Sequence, residues 1–161
     1  MIAGFENTAE NAKKRIISSN IALPDEVKGC TEEEIKKLEI VLNVQLPLAY
    51  KAFLKVMGHG AGRLMRDADV FLDVLKGLTK EASEILADEE MPPLPDRAFV
   101  LAMRNGEQFL FFICDGEDDP EIFYFMECND SFEKKYSSFW DFLDDEIRHI
   151  EMVDLAKSKL I

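Results

Sequence analysis

Histidine, cysteine and tryptophan are scarce in these 161 residues, at two, three and one. The cysteines Cys30, Cys114 and Cys128 are odd in number and far apart, which argues against a disulfide framework. None belongs to a Cys-x-x-Cys pair of the kind zinc sites are built from, and Cys114 closes an apolar run, where a thiol serves as a small buried hydrophobe. His59 falls in a turn and His149 near a helix end that favours a cation, so neither a metal triad nor a catalytic triad is expected. No apolar run exceeds the six residues of 109–114, well short of the roughly 18 a membrane helix needs. The first residues lack the basic start and long apolar stretch of a signal peptide. A soluble, cytoplasmic protein is therefore expected. Also missing are a nucleophile elbow and a phosphate-cradling loop: Gly58-His59-Gly60-Ala61-Gly62 has neither the Walker nor the dinucleotide spacing. The expectation is no catalytic residue, no cofactor and no metal ligand.

What the chain does have is apolar material, at 47%, and charge, at 32%. That suffices for a real core and is unlike a disordered composition. Net charge is −13, unevenly spread. Residues 1–80 hold twelve Lys/Arg against eleven Asp/Glu; residues 81–161 hold seven against twenty-one. The second half thus carries all the excess negative charge. Such a field repels phosphate backbones, which argues against nucleic acid, and draws in a basic protein. The plainer alternative is that the charge only keeps the protein soluble.

Periodicity predicts a first helix over residues 6–18, capped by Asn7 or Thr8, with Ala12, Ile16 and Ile17 inward. Residues 21–29 read as a connector. Thr31-Glu32-Glu33-Glu34 is a capping box, and Ile35, Leu38, Val41 and Leu42 follow at helical spacing until Leu46-Pro47 stops the helix. Pro47 suits the first position of another helix, with Tyr50, Phe53, Leu54 and Met57 inward and the glycine-rich turn at its end. Residues 63–78 read either as a strand over 63–72 or as a short helix capped by Asp69. Thr79 is expected to cap a further helix carrying Ala82, Ile85 and Leu86, and residues 91–95, rich in proline, read as an extended linker.

From Ala98 the period becomes that of strands. Residues 99–103 and 107–114 flank Asn105-Gly106, a two-residue hairpin signal because both positions tolerate positive φ. The return strand is apolar on both faces and is placed centrally. Residues 121–126 give a third strand. Ser137 or Ser138 caps a last helix with Phe139, Leu143, Ile147 and Ile150 near one face. The predicted class is α+β: an antiparallel meander with helices packed on one face.

Two acidic groups stand out. Asp115-Gly116-Glu117-Asp118-Asp119-Pro120-Glu121 superficially has the look of a calcium loop, but positions six and twelve are Pro120 and Met126 where an EF-hand needs Gly and Glu. It reads as a solvated connector or as a contact patch for a basic partner. Asp141, with Asp144-Asp145-Glu146, sits in the first half of the last helix, where carboxylates complement the helix dipole or extend the same patch.

Three stretches together resemble the SUKH superfamily of Smi/Knr-type domains. They are Glu34-Ile35-Lys36-Lys37-Leu38-Glu39 followed by Leu46-Pro47-Leu48-Ala49-Tyr50-Lys51-Ala52-Phe53-Leu54 and a glycine-rich turn; the aromatic hairpin of 99–114 with its acidic turn; and Ser138-Phe139-Trp140-Asp141-Phe142-Leu143. The resemblance implies a single domain over 1–161, with an N-terminal extension (1–20), a core (21–150) and a C-terminal tail (151–161). It implies a non-enzymatic binding protein: in bacteria a cytoplasmic immunity protein that neutralises a toxin, often a nuclease or deaminase, or alternatively a regulatory scaffold. The partner expected is a basic protein, the C-terminal domain of a cognate toxin. The residues expected to meet it are Asp115, Glu117, Asp118, Asp119, Glu121, Asp141, Asp144 and Asp145. A rival enzymatic reading would require a deep pocket with converging polar groups and perturbed carboxylates.

Overall fold

The computed structural model describes residues 2–160. Helix α1 (Ile2–Ser18) opens the chain. It begins before the expected Asn7 or Thr8 cap: Thr8 lies inside it, with its hydroxyl donating to the Gly4 carbonyl at 2.9 Å. A 3-10 turn at Pro24–Glu26 leads to strand β1 (Val27–Lys28). Helix α2 (Glu32–Leu42) starts as the capping box dictates: Thr31 Oγ1 accepts from the Glu34 amide and the Glu34 carboxylate accepts from the Thr31 amide. It ends earlier than Leu46-Pro47, because Asn43 adopts a left-handed conformation (φ 52°) and closes the last turn. Ile35 and Leu38 face inward as expected, but Val41 is 65% exposed and Ile40 78%. Leu42, by contrast, packs partly against the core, so only one side of the helix end is open.

Helix α3 (Leu48–Met57) begins one residue after Pro47, which serves as its N-cap rather than its first turn. Tyr50, Phe53, Leu54 and Met57 are all buried. The chain then pairs as strand β2 (Gly60–Ala61) with β1, Val27 opposite Ala61. Gly62 has φ +62°, and a Cβ there would meet the Ala22 backbone at 2.6 Å, so the chain can turn here only on glycine.

Neither reading of residues 63–78 describes that segment fully. The chain turns, and Asp69 makes a single bridge to Met103. Helix α4 (Leu72–Asp88) then runs through Thr79, which is interior to it and no cap. Leu75, Leu78, Ala82 and Leu86 form one buried stripe, and the packing of that stripe carries the helix across the exposed Gly77.

The main sheet is an antiparallel meander of β3 (Ala98–Arg104), β4 (Gln108–Ile113), β5 (Ile122–Met126) and β6 (Glu133–Tyr136), in that order. Asn105 and Gly106 turn the first hairpin with φ of 56° and 68°. Strand β6 has no counterpart among the sequence expectations: Glu133-Lys134-Lys135 is a charged edge with no apolar alternation to announce it. Helix α5 (Phe139–Ser158) closes the fold, with Ser138 as its cap. It continues through most of the expected tail; Met1 and Ile161, the ends of the expected 1–161 domain, lie outside the described residues.

The α+β class and the antiparallel sheet stand as the sequence predicts. Helices α3 and α5 cover one face, where Tyr50 meets Phe99, Phe112 and Phe139 at ring-centroid distances of 5.1–5.3 Å. The opposite face is buried too: Phe109, Phe111 and Phe125 are 0–1% exposed, Phe132 packs on the last two, and α4 lies along β3. This is why β4 is apolar on both sides. Helix α1 packs on α3, outside the first layer. Among the described residues no helix is long and apolar enough to cross a membrane.

Candidate functional site

Residues 115–121 join β4 to β5 and are built as a tied-down loop. The Asp115 carboxylate accepts from the Glu117 amide at 3.2 Å, an Asx turn, and Gly116 has φ +98°. The Asp118 carbonyl accepts from the Ala49 amide at 2.9 Å, satisfying one of the free N–H groups at the start of α3. Asp119 Oδ1 accepts from the Phe139 amide at 2.8 Å while Ser138 Oγ accepts from the Asp141 amide at 3.1 Å, so two side chains cap α5 together. With its backbone fixed at both ends, the loop holds Asp115, Glu117 and Asp118 exposed.

The eight carboxylates singled out in the sequence divide sharply. Asp119 is partly buried and capping; burial pushes its pKa up, the Asp141 charge adds to that, and the amides of Phe139 and Trp140 pull the other way. Glu121 lies 3.4 Å from Lys134 across the sheet edge. Asp144 is held by Arg148, one turn on, and by Arg15 of α1 at 2.6 Å; both hydrogen bonds lower its pKa, Arg148 foremost. Asp145 accepts from the Tyr136 hydroxyl at 2.7 Å, which ties α5 to β6. Asp115, Glu117, Asp118, Asp119 and Asp141 have no salt bridge among the described residues, and of these Asp119 is taken up in capping α5. The structure therefore brings Asp119 and Asp141 together at the start of α5 but engages Asp144 and Asp145, each about half exposed, with Arg15, Arg148 and Tyr136.

The rest of α5 follows the same rule. Glu146 takes Arg104 at 2.8 Å, Glu151 takes Arg15 at 2.5 Å and Asp154 takes Arg63 at 2.7 Å. Sequence reading missed these basic partners, because each lies 42 or more residues away.

Beside the acidic loop, a groove of about 870 Å³ runs between the end of α2 and the start of α3. Its walls include Glu39, Ile40, Leu48 and residues 115–118, with Lys51 and Arg97 contributing positive charge. Ile40, 78% exposed, adds apolar surface to the groove wall beside the acids.

At another corner, where β1 passes into α2, Cys30, Glu34 and His59 place one sulfur, one carboxylate oxygen and one imidazole nitrogen within 4.8 Å of one another. His59 Nε2 is 3.0 Å from both Glu34 oxygens. No motif announces this cluster, since His59 is 25 residues from Glu34 and follows no ligand spacing. The thiol of this cluster is buried and its pKa is pushed up to about 12, chiefly by desolvation, the opposite of an activated nucleophile.

The model of the SMI1/KNR4 family (SUKH-1) matches residues 29–145, more than half of the chain. The match takes in α2 and α3, the glycine-rich turn, the whole four-stranded sheet, the acidic loop and the start of α5. It leaves α1 and the C-terminal part of α5 outside. No curated protein matches the chain.

Proposed function

The chain belongs to the SMI1/KNR4 family (SUKH-1), and from that membership we propose that it is a non-catalytic binding protein of the immunity type. In the cytosol it captures a basic cognate toxin domain and covers that domain's active site. The family match is the observation that carries this reading. The surface that supports it best is the acidic loop with the neighbouring groove.

The chemistry is that of exposed carboxylates beside apolar surface. Asp115, Glu117, Asp118 and Asp141 are free to meet lysines and arginines, and the fixed backbone of the loop spares the entropy of ordering them on binding. The net charge of −13 draws a cationic partner in and speeds encounter. Ile40, already exposed on the groove wall, supplies apolar area that a partner can bury. Asp119, Asp144 and Asp145 hold α5 in place: Asp119 caps it, and the other two, about half exposed, tie it to α1 and β6.

A tagged pull-down from the native cell, washed at low and then at high salt, tests the proposal. The expected result is one stoichiometric basic partner with a nuclease-like or deaminase-like domain, released by salt and lost on charge reversal at Asp115, Glu117 and Asp118. Recovery of a housekeeping protein instead would replace immunity by a regulatory scaffold role. Tight binding unmoved by salt would remove the electrostatic part.

A further inference from the structure

We propose that Cys30, Glu34 and His59 form a binding site for a zinc-class divalent metal ion, independent of the partner surface. Three observations carry it: the donor set, the spacing and the way the backbone is built around the sulfur.

A thiolate, an imidazole and a carboxylate are the three side-chain donors that zinc accepts, and the sulfur disfavours calcium and magnesium. A tetrahedral zinc with arms of about 2.0–2.3 Å holds its donors about 3.5 Å apart. Here they lie between 3.0 Å (His59 to Glu34) and the 4.8 Å limit of the group. Shifts of well under a side-chain rotamer change would bring all three onto one ion, whose fourth position is left to water.

The donors stand on separate, fixed pieces of backbone. Cys30 follows β1, and its amide donates to the Leu54 carbonyl at 2.8 Å. His59 precedes β2, and its amide donates to the Lys28 carbonyl at 2.9 Å, beside the β1–β2 pairing. Glu34 is locked in the first turn of α2 by the capping box, which occupies one of its oxygens but leaves lone pairs free. Gly58 borders the sulfur: a Cβ there would lie 2.4 Å from Cys30 Sγ, so glycine alone leaves the thiol its space. Burial, chiefly, pushes this thiol's pKa up to about 12, with Glu34 and Asp73 adding to it. A bound cation reverses that balance, displacing the proton and neutralising the two acidic charges.

The test uses the full chain, reduced and stripped with a chelator, then titrated with Co²⁺ as a spectroscopic probe and with Zn²⁺ followed by thermal melting. The expected result is one equivalent of Co²⁺ with a thiolate-to-metal charge-transfer band. That band is retained in Cys128→Ser, where the exposed thiol is removed, and lost in Cys30→Ser. His59→Gln and Glu34→Gln, both at partly exposed positions that tolerate an amide, should weaken affinity at least about tenfold, the loss that even an outer-shell contact produces. They should also abolish the rise in Tm that Zn²⁺ gives the unmodified chain. Because these two variants keep the buried sulfur, they remain decisive should Cys30→Ser fail to fold. Absence of the band in the unmodified chain, its disappearance with Cys128→Ser, or equal zinc stabilisation of His59→Gln would each overturn the proposal.

Discussion

The acidic loop and helix α5 carry the same kind of charge in the same half of the sequence, yet the fold uses them oppositely. In the loop, Asp115, Glu117 and Asp118 contribute through backbone turns and leave their carboxylates facing solvent, apart from the one Asx-turn hydrogen bond. On α5, Asp144, Asp145, Glu146, Glu151 and Asp154 are each taken by an arginine or a tyrosine from elsewhere in the fold or one turn away. A count of negative residues therefore overstates the charge available to a partner. What matters is which carboxylates already have a cation.

The comparison can be broken hardest at Arg104 and Glu146, the least exposed of these pairs. Burial works against the Arg104 charge and the Glu146 carboxylate restores it. Glu146→Ala should lower unfolding stability by about 1–3 kcal/mol in chemical denaturation, because it leaves a half-buried guanidinium short of its main partner. An unchanged midpoint would mean that α5 is not held through this pair.

Arg15→Ala should cost less, about 0.5–1 kcal/mol after solvent screening. It removes the shared partner of Asp144 and Glu151, and it should do so in a salt-dependent way. The pH response of the same network sharpens the contrast. The carboxyls of Asp144, Glu151 and Asp154 are held below their ordinary values of 3.8, 4.5 and 3.8, chiefly by Arg148, Arg15 and Arg63 respectively. A lowered folded pKa stabilises above the unfolded value, and that stabilisation is lost as pH falls through the folded one. Stability should thus decline below about pH 4.5, and less steeply in Arg15→Ala.

Asp119 should behave in the reverse sense. Its pKa is raised from 3.8, first by burial, so the folded state takes up a proton before the unfolded state does. Its charge opposes folding above the folded value, and the opposition fades as pH falls toward 3.8. Asp119→Asn, which keeps an oxygen to cap α5, should shift stability at neutral pH by no more than about 0.5 kcal/mol. A large loss would show that the negative charge itself is needed at the helix start.

The smallest effect on folding belongs to the loop. Replacing Asp115, Glu117 and Asp118 by the corresponding amides should leave stability within about 0.5 kcal/mol. Association with a basic partner, measured by stopped-flow at low salt, should slow about tenfold. The same number of charges removed at Asp144, Asp145 and Glu146 should instead destabilise the protein and leave the encounter rate nearer its original value.

Much of the fold could be read directly wherever the deciding interaction is local. Thr31 and Glu34 announced their helix because a capping box spans three residues, and Asn105-Gly106 announced its hairpin because a two-residue turn needs positive φ at both positions. Phe109 to Ile113, apolar at every position, placed β4 inside the sheet, and the fold buries both of its faces. Thr79 misled for a converse reason. It is a good cap by type, but the buried stripe of Leu75, Leu78, Ala82 and Leu86 outweighs that preference and carries the helix past it. Val41 fits the helical period, yet the covered side of α2 runs through Ile35, Leu38 and Leu42 and leaves Val41 65% exposed, and periodicity does not report where a neighbour stops. Strand β6 went unseen because an edge strand pairs through its backbone and keeps charged side chains.

The sequence by itself determined the class of this protein: most of the larger elements and their order, the first antiparallel hairpin and the acidic second half. These follow from preferences that act over three or four residues and from composition. Only the tertiary structure decided which charges are spent and which are free, and that Cys30 and His59 meet at Glu34. Arg15 and Asp144 are 129 residues apart. A pairing over that distance is set by the packing of α1 beside α5, since long-range contacts form only after local elements have been fixed against a common core.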